Sequence, residues 1–168
     1  MEVKVNLTGL DNVLSTLQKL PQEVVSKRGG IVRQAVFAGA RVIRAEARKN
    51  LTKVTSNGRK GNDDAVSTGL TAKNIVVRRK NMPNSEKGER ALLTVAYKSH
   101  PGYKSKFRKK PIKFNDIAFM LEYGTSKQRA EPWLRPAFNA KKEQAIDKMR
   151  SDLLVKIDRL AKKYLKEK

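Results

Sequence analysis

The chain has 168 residues, 39% of them hydrophobic, and sets 38 lysines and arginines against 16 aspartates and glutamates, a formal charge of +22. That length suits one domain with a modest core, and so large a surplus of like charge repels itself unless a polyanion or an acidic neighbour compensates it. Cysteine is absent, which excludes disulfides, thiolate metal sites and cysteine nucleophiles; no apolar run approaches a membrane span, and the start, Met-Glu-Val-Lys-Val-Asn-Leu, lacks the basic-then-apolar pattern of a signal peptide.

Val3, Val5 and Leu7 alternate with polar residues, the pattern of a short half-buried strand. Thr8-Gly9 turns the chain, and Leu10, Val13, Leu14, Leu17 and Leu20 then recur at helical spacing up to Pro21. A longer helix is predicted from about Gln22 to Leu51, with Val25, Val32, Val36, Ala40, Ile43 and Ala47 as its apolar stripe and arginines on its other faces. Gly29-Gly30 interrupts it, which predicts a kink or a close backbone approach. No Gly-Lys-Ser/Thr follows, so the pair is not a phosphate loop.

Residues 52–67 are rich in Asn, Gly, Ser, Lys and Asp and read as a mobile loop. Thr68-Gly69-Leu70 resumes order. Ile75 to Arg79 and Ala91 to Tyr97 are strand-like, with Leu93 and Val95 on one face and a long connection between the strands. Residues 98–113 carry Lys98, Lys104, Lys106, Arg108, Lys109, Lys110 and Lys113 and no acid. Pro101-Gly102 and Pro111 exclude regular helix there, so the segment is expected to be an extended, mobile basic loop. Asn115 or Asp116 can cap a short helix containing Ile117, Ala118, Met120 and Leu121, and Gly124 suits the position after its last turn. Pro136 stands in the favourable first turn of a long final helix striped by Phe138, Ala145, Met149, Leu153, Ile157, Leu160 and Tyr164.

Four short motifs stand out: Gly9-Leu10-Asp11, Thr68-Gly69-Leu70, Glu122-Tyr123-Gly124-Thr125, and Pro132-Trp133-Leu134-Arg135-Pro136-Ala137. In their order along nearly the whole chain they resemble the tail-completion or head–tail joining proteins of the tailed-bacteriophage neck. The last two motifs are specific together and weak separately. The long loop at 52–67 and the basic segment at 98–113 depart from the family pattern.

The resemblance implies an α+β subunit with a small, mainly antiparallel sheet packed against a long helix, followed by a long C-terminal helix. It implies a single neck-protein domain over residues 1–168, assembled in the host cytoplasm into a homo-oligomeric ring of the virion, a hexamer by expectation. Head connector or stopper proteins on one side and tail terminator or tail tube proteins on the other would be its partners, with viral DNA in the lumen. No catalysis, cofactor, metal or membrane is implied. The reading from another class is a basic cellular nucleic-acid-binding protein.

The individual residues divide as follows. Glu122 with Tyr123 can be read as an acid beside a tyrosine, but acid–base work needs a second group in reach, and the other reading is a helix end with Glu122 paired to a base. Trp133 is either a core anchor or an interface hot spot, and Arg135 has Glu122 and Glu131 as candidate partners. Together Glu122, Tyr123, Gly124, Thr125, Pro132, Trp133, Leu134, Arg135 and Pro136 form the expected fold or subunit-interface motif. Lys104, Lys106, Arg108, Lys109 and Lys110 are the expected contacts to nucleic acid or an acidic partner, with a merely solvated loop as the other reading. Many phosphate contacts in a lumen would retain DNA that must leave, so the charge is expected to face outward. A lone His100 without cysteines or acid clusters at ligand spacing argues against a transition-metal site.

Overall fold

The computed structural model describes residues 30–57, 69–80, 89–104 and 111–166. The strand expected at 3–7, the helix between Leu10 and Leu20, and Gly29 lie outside the described residues. Two long helices dominate: α1 at Ile31–Asn57, 27 residues, and α4 at Leu134–Lys166, 33 residues. At 1.5 Å per residue they are about 40 Å and about 50 Å long. Between them in sequence come the single-turn helix α2 (Leu70–Lys73), strands β1 (Ile75–Lys80) and β2 (Arg90–Val95), strands β3 (Ser99–Lys104) and β4 (Pro111–Lys113), and helix α3 (Phe114–Tyr123). The strands form two antiparallel pairs, β1 with β2 and β3 with β4, so the architecture is α+β as expected.

The first hairpin follows the alternation of its sequence. Ile75 pairs with Val95 and Val77 with Leu93, which puts these residues on the face toward the helices. Ile75 and Val95 join Ala47, Leu51, Ala72, Phe114, Ala118, Leu121, Trp133 and Ala137 in the main core, with Leu93 packed against it. Arg48 of α1 fastens the hairpin to the helix: its guanidinium donates to the carbonyls of Lys73 (2.9 Å) and Ile75 (3.1 Å).

α1 and α4 run antiparallel. Ile31 and Ala35 near the start of α1 pack with Leu153 and Ile157 far along α4, whereas Ala47 and Leu51 share the main core with Trp133 and Ala137. Midway, Gly39 sits against Met149 and Ala145, and a Cβ there would fall 2.3 Å from Met149 Cε and 2.8 Å from the Ala145 carbonyl oxygen. The buried line of α1 is therefore Ile31, Ala35, Gly39, Ala40, Ala47 and Leu51, while Val32, Val36 and Ile43 are only half-buried. The expected stripe was correct at Ala40 and Ala47. It was displaced elsewhere because the helices approach along small residues, leaving the valines at the margin.

Three further expectations are corrected. α1 continues past Leu51 to Asn57, consuming the first part of the loop expected at 52–67. The Thr52 and Thr55 hydroxyls donate back to the carbonyls of Arg48 and Leu51, and Val54 packs on the core, so the last turns have local support. Residues 58–67 lie outside the described residues. Segment 98–113 is not a simple extended loop: its ends pair as β3 and β4, with Ser99 opposite Lys113 and Lys104 opposite Pro111 in an irregular register. Pro111 is the first residue of its strand, where a missing N–H is tolerated. Finally, the residue preceding α3 is Lys113, not Asn115 or Asp116. The Phe114 N–H donates to the Lys98 carbonyl, so the hairpin caps the helix, and Asp116 sits in the first turn, where its charge suits the helix dipole.

The close crossing at Gly39 gives a direct test. Gly39→Ala should destabilise the fold by about 1–3 kcal/mol, as overpacking does, measured by chemical denaturation. Adding Met149→Ala should recover only part of the loss, because the Ala145 backbone carbonyl remains in the way. Full recovery would mean that the Met149 side chain alone sets the spacing.

Candidate functional site

The residues singled out at 122–125 and 132–136 meet in one corner. Helix α3 ends at Tyr123, and the Gly124 N–H donates to the Met120 carbonyl at 2.8 Å. Gly124 has φ 76° and ψ −177°, a combination open almost only to glycine. A Cβ on it would also meet the Ala130 nitrogen at 2.8 Å and the Gln128 oxygen at 2.9 Å. The chain then makes a tight turn: Thr125 N–H donates to the Gln128 carbonyl at 2.8 Å, and the Thr125 hydroxyl accepts from the Lys127 N–H. It returns extended through Glu131, whose N–H donates to the Leu121 carbonyl, and through the exposed Pro132.

The return delivers the start of α4 onto the Glu122 carboxylate. Oε2 accepts from the N–H groups of Trp133 (2.7 Å) and Leu134 (2.8 Å). Oε1 accepts from the Arg135 N–H (3.3 Å) and the Arg135 Nε (2.9 Å). The fork of Arg135 also donates to the Glu122 backbone carbonyl at 3.2 Å. Glu122 is thus the N-terminal cap of a helix that begins twelve residues later, and it does for α4 what a capping serine or aspartate does locally. Trp133, immediately before the helix, could not, since an indole carries only a donor. That donor is used in the core: Trp133 Nε1 reaches the Ala118 carbonyl at 3.0 Å, and the Trp133 carbonyl accepts from Asn50 of α1.

Glu122 is 4% exposed. Burial alone would raise its pKa, but the N–H groups of Leu134 and Trp133 and the Arg135 side chain outweigh that and hold it below the ordinary glutamate value. A carboxylate offers about four lone-pair positions, and four donors reach this one. No acceptor is left for a proton in transit, so the acid–base reading of Glu122 loses its chemical basis. Of the two candidate partners for Arg135, the structure selects Glu122.

The remaining motif residues fall into place around this bond. Trp133 is buried as a core anchor, Leu134 packs on the main core, and Pro136 is exposed in the first turn of a helix that starts at Leu134. The outer face is aromatic. Phe119 and Tyr123, 61% and 56% exposed, face each other at 4.6 Å between ring centroids, and the Arg135 guanidinium lies 5.3 Å from the Tyr123 ring. Phe119 was not among the expected site residues, although its spacing of four from Tyr123 on a helix predicts the pair. Of the basic set, Lys104 ends β3, and Lys106, Arg108, Lys109 and Lys110 lie outside the described residues. Sequence reasoning also passed over a second basic feature: Arg33 and Arg41 of α1, Arg79 of β1 and Lys156 of α4 converge on one groove. Among the described residues no group of three or more acidic, histidine or cysteine side chains could hold a metal, and no helix is long and apolar enough to cross a membrane. In comparison with protein families, curated proteins and solved structures, the chain matches none.

Two outcomes test the corner. The unfolded chain carries an ordinary glutamate at position 122, so a native pKa below that value stabilises the fold fully above about pH 5 and withdraws the stabilisation as pH falls below about 4.5. Glu122→Gln should lower stability at neutral pH by on the order of 2 kcal/mol and make the thermal midpoint fall less steeply between about pH 5 and pH 3. An unchanged midpoint and acid slope would show that the carboxylate holds nothing. Gly124→Ala should cost on the order of 3 kcal/mol through backbone strain and the clash with Ala130, read by chemical denaturation.

Proposed function

We propose that this chain is a structural subunit of a tailed-phage neck. It completes the tail and joins it to the head connector as one member of a homo-oligomeric ring around the DNA path. The observation that carries this reading is the corner itself. The two motifs that resemble the phage family, separated in sequence, lock together through Glu122 into one rigid joint rather than lining a cleft. A carboxylate whose acceptor positions are taken up by the start of α4 suits an architectural role. The face turned outward by the joint, Phe119 and Tyr123 with Arg135, has the residue types enriched at interface hot spots. Its natural occupant in this reading is the neighbouring subunit of the ring.

Such a ring would sit between connector or stopper proteins and tail terminator or tube proteins, and would reach the virion by assembly in the host cytoplasm. Its test is oligomeric state and location. Light scattering with electron microscopy of the purified chain should show a closed multi-subunit species, and mass spectrometry should find the chain in purified virions. Phe119→Ser with Tyr123→Ser should shift the ring to monomer while leaving the helical circular dichroism and melting unchanged. A chain that stays monomeric at all accessible concentrations and is missing from particles would sink the proposal.

A further inference from the structure

A groove of about 720 Å³ opens between α1, β1 and α4, lined by Arg33, Gln34, Phe37, Arg41, Arg79, Asp152 and Lys156. Its charge is one-sided: four cations face one carboxylate. That carboxylate is already neutralised, since Asp152 is 2.8 Å from Lys156 Nζ and 3.4 Å from Lys148 Nζ. Arg79 shares its charge with Glu89 at 2.8 Å on the strand side. Arg33 lies over the Phe37 ring at 5.6 Å, and among the described residues neither Arg33 nor Arg41 has an ion-pair partner.

The groove is continuous with a ridge of like charge. At 100° per residue, Arg33, Phe37, Arg41, Arg44 and Arg48 share an arc of about 80° on α1. Arg44 stands between Arg41 and Arg48. Burial, then the charges of Arg48 and Arg41, lowers its pKa from the ordinary value, a sign of repulsion within the ridge. Arg33 and Arg41, eight residues apart, are separated by about 12 Å along the helix axis. A run of guanidinium groups at that spacing, each able to fork onto two oxygens, suits a ligand with regularly repeated anionic oxygens.

We propose that this groove, with the arginine ridge beside it, binds the phosphodiester backbone of nucleic acid. A phosphodiester chain carries one charge per unit and continues past the groove along Arg44, whereas an acidic peptide that filled the groove would leave the ridge uncompensated. Phe37 supplies an apolar wall for sugar or base. Recognition of this kind is independent of sequence. The inference goes beyond the architectural reading and does not depend on it, since a monomer presents the same groove.

The experiment is fluorescence anisotropy of the full chain with labelled 20-nucleotide single-stranded DNA, the matching duplex and single-stranded RNA, each over a salt series. Arg33→Gln with Arg41→Gln should weaken binding more than tenfold near 0.1 M salt and reduce the slope of log K against log salt by about 2, one unit per lost phosphate contact. Lys127→Gln with Lys142→Gln, an equal change of charge on exposed residues elsewhere, should change binding less than about threefold. The order of the three probes identifies the strand form that the groove takes. Equal losses in both variants would overturn the proposal in favour of diffuse net charge, and an unaffected groove variant would overturn it outright. Polyglutamate that binds as tightly as DNA and is lost equally in the groove variant would assign the groove to an acidic protein instead. Should the groove variant not fold, protection of Arg33 and Arg41 from phenylglyoxal by DNA in the native chain decides the matter. Protection supports the site, and equal modification with and without DNA overturns it.

Discussion

The structure rests on a buried carboxylate borrowed from one helix to start another. The first N–H groups of any helix lack intrahelical acceptors, and at the start of α4 the Trp133 amide is buried and those of Leu134 and Arg135 are part-buried. Glu122, in the last turn of α3, fills that need with both oxygens. The arrangement fixes the direction in which the chain leaves α3, the length of the 124–132 return and the depth of Trp133. Arg135 adds a further bond to the same carboxylate, but its side chain is 49% exposed, so its ion pair is worth little on its own. The amides carry the larger share, above all that of Trp133, which is buried and would be left unsatisfied without Glu122.

A second constraint places the long helices. Among the described residues they carry most of the basic side chains, and they can still approach because Ala35 packs with Leu153 and Gly39 sits against Ala145 and Met149. Small residues at the crossing bring the axes together, and the long cationic side chains are then sorted to the flanks. The arginine ridge and its groove are by-products of that sorting. Positions 33 and 41 lie on the flank that the packing leaves open, and Arg79 and Lys156 come from the elements that border it.

Much of this was legible in the sequence, and the illegible parts share a cause. The strand-like runs at 75–79 and 91–97 predicted the hairpin and its inner face, although the second strand ends at Val95, and the turn chemistry at Gly124 predicted a helix end with positive φ, because these signals are local. The tryptophan and arginine of the second motif were singled out, and Glu122 was one of two candidate partners for the arginine. Its role as a cap was not readable, since capping is recognised in sequence only when the cap is adjacent to its helix. Gly29-Gly30 was expected to kink the helix or admit a close backbone approach, and Gly29 lies outside the described residues; the close crossing at Gly39 was not foreseen, because that glycine sits inside a helical pattern and gives no sign of its neighbour. The extension of α1 to Asn57 was missed because Thr and Asn score poorly in helices. The hydroxyl bonds that support the last turns appear only once the helix is there.

The two surface features stand at opposite ends of α4, and the separation decides whether both can operate. Arg135 beside the aromatic face and Lys156 in the groove are 21 residues apart, about 30 Å along the axis. Screening in physiological salt acts over about 8 Å, so a subunit docked on Phe119 and Tyr123 would be largely screened from Lys156. Arg135, which lies over the Tyr123 ring, is already compensated by Glu122. A surplus of +22 would oppose self-association if it were spread evenly over the molecule. Here Arg135 beside the exposed aromatic pair is neutralised by Glu122, while Arg33 and Arg41 line the groove without an ion-pair partner among the described residues. Association through one end and anion binding at the other are therefore compatible in a single subunit, and each bound phosphate would further reduce what repulsion remains between neighbours.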